Sequence, residues 1–154
     1  MPGWEPFDID IPVQGPRTVT VGRDIDVPIL VHIIDDNKLK PVRLELRLKG
    51  PAGEEYPLQD HLEGADLVDT PCVRENITYW YMFKRLRFLK TGTYKIEVEA
   101  WNKSRLLGSL TCRDTFEVVP GRLTAEQEEG NKPTELRQRI IEVVTENIAR
   151  QRRM

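Results

Sequence analysis

A chain of 154 residues, 39% of them hydrophobic and 31% charged, has the size of one domain and can bury a core without disulfide staples. A mean hydropathy of -0.48 and the lack of any apolar run near the ~18–20 residues of a membrane span predict a soluble protein that does not cross a bilayer. A net charge of -2 excludes the overall balance of a bulk nucleic-acid binder, so any basic surface has to be local.

The first residues, Met1-Pro2-Gly3-Trp4-Glu5-Pro6, carry neither a basic start nor an apolar signal core. That predicts an intracellular protein, nuclear or cytoplasmic rather than secreted. In such a setting Cys72 and Cys112 are reduced thiols, and the triplets Asn76-Ile77-Thr78 and Asn102-Lys103-Ser104 are chance matches to a glycosylation signal.

Residues 7–13 alternate, with Phe7, Ile9, Ile11 and Val13 on one side and Asp8 and Asp10 on the other, and Pro12 restricts the strand to a sheet edge. Gln14-Gly15-Pro16 breaks it, and residues 17–21 read as a connecting loop with strand character. Residues 27–34 are almost all apolar and rich in β-branched side chains, which favours a buried strand over a helix. Residues 42–49 alternate most cleanly, with Val42, Leu44, Leu46 and Leu48 opposite Arg43, Glu45, Arg47 and Lys49. Gly50-Pro51-Ala52-Gly53 is a turn by composition. Tyr56-Pro57-Leu58 resumes pairing briefly, and residues 67–70 read as a short strand.

Residues 79–100 are the centre of the chain. Residues 79–83 carry large side chains on both faces, which predicts a central strand with something packed over each side. Tyr94, Ile96, Val98 and Ala100 then alternate with Lys95, Glu97 and Glu99. Lys90-Thr91-Gly92 between them is expected to fold the two halves back on each other as an antiparallel corner. A hairpin after Trp101-Asn102-Lys103-Ser104 supplies the last strands, 106–111 and 115–119, with Phe116 and Val118 inward. Short strands divided by Gly, Pro and Asp, with no helical pattern before residue 120, predict a mostly β protein. The expected fold is an immunoglobulin-like antiparallel β-sandwich over residues 7–121 with a C-terminal α-helix.

Residues 122–132 read as a polar linker. Residues 133–152 read as an amphipathic helix in which Leu136, Ile140, Val143, Val144 and Ile148 form one stripe, Asn131 caps, Pro133 suits the first turn, and Arg150, Arg152 and Arg153 complement the C-terminal dipole. The stripe is expected to cover an edge or an open face of the sandwich. In the other reading Leu136, Ile140, Val144 and Ile148 are a partner-binding surface.

Chemistry is marked mainly by absences. The sequence has no Walker loop, no Gly-x-Ser-x-Gly elbow, no His-Glu-x-x-His, no Cys-x-x-Cys and no dinucleotide glycine fingerprint, so no catalytic residue, cofactor, metal or small-molecule substrate is assigned. His32 lies within an apolar strand and reads as a packed histidine; His61 reads as a loop residue beside Asp60 and Glu63. The pairs Asp8 and Asp10, Asp24 and Asp26, and Asp35 and Asp36 lack the spacing and glycine of an EF-hand and read as solvated turns. Basic residues gather at Arg17 and Arg23, at Lys84, Arg85, Arg87 and Lys90, and along the C-terminal helix.

In motif order the chain resembles the fungal velvet-domain family. Gln14-Gly15-Pro16-Arg17 and Gly22-Arg23-Asp24-Ile25-Asp26-Val27-Pro28-Ile29-Leu30-Val31 are similar to the family's opening, an arginine motif followed by a Gly, an acidic residue, prolines and an apolar strand. Leu62-Glu63-Gly64, Tyr81-Met82-Phe83-Lys84-Arg85-Leu86, Gly92-Thr93-Tyr94-Lys95-Ile96-Glu97-Val98 and Phe116-Glu117-Val118 before Pro120-Gly121 resemble its later blocks. The resemblance implies a Rel-like immunoglobulin fold, homo- or heterodimers, nuclear residence and a regulatory role in transcription. It carries the family's DNA contact onto Arg17 and Arg23, and Lys132, Arg137 and Arg139 are added as a second candidate contact to double-stranded DNA. Val19 stands where the family has a second arginine. With the net negative charge, that departure motivates the alternative of an immunoglobulin-like protein-interaction module that binds no nucleic acid.

Overall fold

The computed structural model describes residues 7–35, 43–64, 72–75 and 78–152. In chain order the elements are β1 (Phe7–Gln14), β2 (Thr18–Thr20), β3 (Ile29–Asp35), β4 (Arg43–Lys49), β5 (Glu55–Tyr56), a one-turn α1 (Leu58–His61), β6 (Leu62–Glu63), β7 (Val73–Glu75) and β8 (Thr78–Phe83). They continue with β9 (Arg87–Phe88), β10 (Gly92–Asn102), β11 (Arg105–Thr111), β12 (Phe116–Val119), α2 (Ala125–Asn131) and α3 (Glu135–Arg152). The strand expected at 67–70 lies outside the described residues.

Alternation places Leu44, Leu46 and Leu48 of β4 and Tyr94, Ile96, Val98 and Ala100 of β10 on one inner face, and all seven are buried. Opposite them lie Ile29, Val31 and Ile33 of β3 and Tyr79, Tyr81 and Phe83 of β8. Each such Val, Leu, Ile or Phe contributes about 1.5–3 kcal/mol of transfer free energy. One sheet runs β1-β3-β8-β7; the second runs β2-β12-β10-β4-β5, with β11 also paired to β10. β1, β3, β8 and β7 thus occupy the A, B, E and D places of an immunoglobulin-like sandwich, and β4, β10 and β12 the C, F and G places. β2 joins β12 in parallel. The other named pairs are antiparallel.

Residues 79–100 do not fold back on themselves as expected. β8 pairs with β3 and β10 with β4, so Lys90-Thr91-Gly92 lies on the crossover from one sheet to the other. There the Tyr94 hydroxyl donates to the Lys90 carbonyl at 3.0 Å, with the Thr91 carbonyl at 3.2 Å. This is the tyrosine corner of the immunoglobulin fold, a side chain at the start of strand F holding the preceding turn. Gly92 sits at φ +149°, and a Cβ there would stand 3.2 Å from the Tyr94 ring, so the corner requires glycine.

β1 departs from simple alternation as well. Its register with β3 slips between Asp10 and Val13, a β-bulge at Ile11 and Pro12. Ile11 stays in the inter-sheet core, but Val13 turns to the outer face of the sheet. There it joins Val27, Leu30, Trp80 and Met82 in a second apolar cluster closed by Ile140, Ile141, Val144 and Ile148 of α3. The sheet carrying β8 is therefore covered on both sides, as the two-faced pattern of residues 79–83 implies.

Candidate interaction surfaces

The segment expected to be a polar linker is built as a helix. Thr124 and Gln127 form a reciprocal capping box at the start of α2: the Gln127 N–H donates to Thr124 Oγ1 at 3.1 Å, and the Thr124 N–H donates to Gln127 Oε1 at 2.9 Å. At its other end Asn131 is buried. Its Oδ1 accepts from the N–H groups of Arg17 at 3.0 Å and Thr18 at 2.9 Å, and its Nδ2 donates to the Thr18 carbonyl at 2.7 Å. One side-chain amide thus satisfies the backbone of β2 much as a neighbouring strand would. The N-cap role expected of Asn131 falls instead to Thr134, whose Oγ1 accepts from the Arg137 N–H at 3.2 Å.

From that anchor α3 lies on the outer face of the β1-β3-β8-β7 sheet. Val144 is 1% exposed, Ile140 and Ile148 are half-buried, and Leu136 is 70% exposed. The four residues considered as a partner surface are therefore divided: Val144, Ile140 and Ile148 pack on their own sandwich, and Leu136 alone faces water. Ile141, which was not placed on the stripe, packs in this cluster three residues before Val144.

The candidate DNA contacts do not converge with a free charge on each. Arg17 has a side chain 67% exposed, and its Nε lies 3.9 Å from Asp114 Oδ2. Arg23 and Arg139 are exposed and Arg137 is half-buried. Lys132 pairs with Glu129 at 2.9 Å, and that hydrogen bond and charge hold its ammonium above the ordinary range. The basic residues of β4 also have partners: across the strand pair Arg47 Nε bonds Glu99 Oε1 at 2.8 Å and Lys49 lies 3.4 Å from Glu97, while Arg43 lies 3.7 Å from Glu45 and 5.5 Å over the Trp101 ring.

In the larger of two remaining clefts charged side chains pair with one another around Arg87. A cavity of about 800 Å³ is lined by Asp24, Glu63, Gly64, Arg85 and Arg87. Within it Arg87 holds Asp24 Oδ1 through Nε and Nη2, each at 3.1 Å, and reaches Glu63 at 3.7 Å. A second cavity of about 550 Å³ opens beneath α3 beside Met82, Cys72 and Ile148. The other thiol, Cys112, is buried, and burial pushes its pKa up to about 12, far from a thiolate nucleophile. His61 Nδ1 lies 2.9 Å from the Pro57 carbonyl, with its ring against Tyr56 and Tyr94. Among the described residues no three His, Cys, Asp or Glu side chains stand together as a metal site, and no helix is long and apolar enough to cross a membrane.

Two partly open surfaces stand out among the described residues. Among the described residues β11 is hydrogen-bonded to β10 on one edge and to no strand on the other, while Phe7 and Ile9 of β1 pack against it at Gly108. Its Arg105, Leu106, Ser109 and Thr111 are exposed, Leu106 at 46%. The second is the part of the β1-β3-β8 face that carries Asp8, Asp10, His32 and Trp80. His32 pairs with Asp10 on one side and Trp80 on the other, and its ring stacks on Trp80 at 4.4 Å between centroids and 29° between planes.

No protein-family model and no curated protein matches the chain. Among solved structures it is similar to the CARDB domain of a Pyrococcus furiosus protein in complex with di-metal ions. That similarity is at 14% identity over 75% of this chain and 91% of that chain, with a TM-score of 0.39. Strand order and the Tyr94 corner define the sandwich without it.

Proposed function

We propose that this chain is a non-enzymatic immunoglobulin-like interaction module that accepts an extended segment of a partner protein along β11. The observation that carries this reading is the contrast between β11 and the other edges. β1 is guarded by Pro12, a bulge, Asp8 and Asp10; β5 is two residues long; the edge of β2 is held by Asn131. β11 has seven residues, no proline, and no charge from Leu106 to Thr111. Unpaired N–H and C=O groups on such an edge are a template for strand addition, with the side chains of alternate positions supplying selectivity.

Peptides selected from a random library are expected to slow amide hydrogen exchange at residues 105–111 of this chain. The double substitution Leu106→Lys and Ser109→Lys, which sets charges on the edge, is expected to abolish their binding without unfolding the sandwich. Selected peptides that leave β11 exchange unchanged, or that bind the double variant equally well, would remove the edge as the docking site.

A second reading, a velvet-like transcriptional regulator on duplex DNA, is favoured by one observation: Arg17 and Arg23 are both solvent-exposed and stand just outside the two ends of β2. A random-sequence duplex titrated over a salt series separates the two. DNA contact predicts binding whose log–log salt slope falls by about one when Arg17 becomes alanine. An interaction module of this net charge predicts no binding even at low salt.

A further inference from the structure

Beside the α3 cluster, the β1-β3-β8 face brings two exposed carboxylates up to a pair of stacked rings, of which Trp80 also packs at the margin of that cluster. Asp8 and Asp10 are exposed on an edge strand two residues apart, which sets their side chains on the same side, about 7 Å from each other. Among the described residues neither takes part in an ion pair. Beside them the half-buried rings of His32 and Trp80 make a stacked platform, with Ile34 at the next cross-strand position opposite Asp8. Burial lowers the pKa of His32, while Asp10 and Asp8 pull it the other way. The imidazole is therefore mainly neutral near neutral pH and does not itself offset the two carboxylates.

We infer that this face is a recognition site for an arginine side chain presented by a partner protein. A guanidinium is flat, weakly hydrated and permanently charged, so it can lie against an indole or imidazole face while donating in the ring plane to a carboxylate. The row Asp10, His32, Trp80 runs across three adjacent strands, which puts the carboxylate at the rim of the platform rather than over it. That is the geometry for a stacked cation with an in-plane, charge-assisted hydrogen bond. A lysine ammonium can satisfy the carboxylates as a point charge but gains less from the planar stack. Asp8 adds a second negative charge along the same edge, so the approach of an acidic partner is opposed. The site is separate from β11, and either can fail without the other.

The probe is N-acetyl-arginine amide, followed by the indole N–H resonance of Trp80, assigned through Trp80→Phe, and by the imidazole resonances of His32. Arginine amide is expected to shift both sets of resonances and to saturate in the range of ~1–10 mM, as one stacked ion contact allows. N-acetyl-lysine amide is expected to bind several-fold more weakly, and the neutral isostere citrulline amide not at all. Asp10→Asn is expected to weaken arginine about tenfold and Asp8→Asn less, with unchanged thermal midpoints. Equal shifts with arginine and citrulline, full affinity in the Asp8→Asn and Asp10→Asn double variant, or no shift of Trp80 in this range would each overturn the assignment. In that event the two aspartates serve only to keep the β1 edge from pairing with other chains.

Discussion

The amide of Asn131 holds Thr18 from both sides, accepting from its N–H at 2.9 Å and donating to its carbonyl at 2.7 Å across 113 residues of chain. Through this one contact the helical segment is tied to the strand that pairs with β12. The geometry makes the helices part of the sandwich rather than an appendage to it.

Replacing Asn131 by alanine leaves the Thr18 N–H and carbonyl and the Arg17 N–H without this partner. The expected loss is about 2–4 kcal/mol in urea denaturation, since each buried unpaired group costs ~1–3 kcal/mol and water reaches some of them. Amide exchange in α3 should accelerate in the same variant. Unchanged exchange there would show that α3 is held by its apolar contacts alone.

Val144 and Leu136 make a paired test of where α3 packs. Val144→Ala removes buried methyl groups from the cluster around Leu30 and is expected to cost about 1–3 kcal/mol. Leu136→Ala, at an exposed position, should stay within about 0.5 kcal/mol. Denaturation curves that reversed this order would place the other side of the helix against the sheet.

Tyr94→Phe keeps the ring stacked between Phe88 and the β10 corner but deletes the hydroxyl that bonds the Lys90 and Thr91 carbonyls. A loss of about 0.5–1.5 kcal/mol is expected, the usual net contribution of one such bond. Gly92→Ala should cost more, because it adds a strained φ and a close approach to the same ring. Thermal or urea midpoints rank the two directly.

His32 gives the fold an acid sensitivity of known sign. Its pKa is lowered from 6.5 by burial, so below pH 6.5 the unfolded chain takes up a proton that the folded chain resists. Stability is therefore unaffected by this group above 6.5 and falls as pH drops through 6.5 toward the folded value. His32→Phe retains a ring against Trp80 and should flatten the urea midpoint between about pH 7 and pH 5. A variant with the same slope as the parent would assign the acid loss to other groups.

Much of the sandwich was legible because its strands alternate: Leu44, Leu46 and Leu48, or Tyr94 to Ala100, declare an inner face without reference to the rest of the chain. What escaped depends on partners far away in sequence. Period-two reading carried Val13 inward with Ile11, since a bulge at Pro12 is set by the register with β3 and not by local pattern. The crossover at Lys90-Thr91-Gly92 looked like a hairpin because glycine marks a turn but not the sheet to which the chain goes next. Asn131 looked like a cap, and nothing beside it points to Thr18. α2 was readable after all: Thr124 and Gln127 have capping-box spacing, and the acidic composition around them obscured it. Of the surfaces, the His32 strand was visible as apolar, but its juxtaposition with Asp10 and Trp80 required the order of three strands.

The cover formed by α3 also sets a constraint on biosynthesis. A ribosome delivers Val13, Leu30, Trp80 and Met82 before it delivers Val144 and Ile148, so a nascent sandwich that has closed its inter-sheet core still shows a wet apolar face. For that interval the chain is exposed to aggregation and to chaperone capture in a way the finished molecule is not. A fragment ending at Gly121 prolongs the interval indefinitely, so any expressed form should run through Ile148 at least.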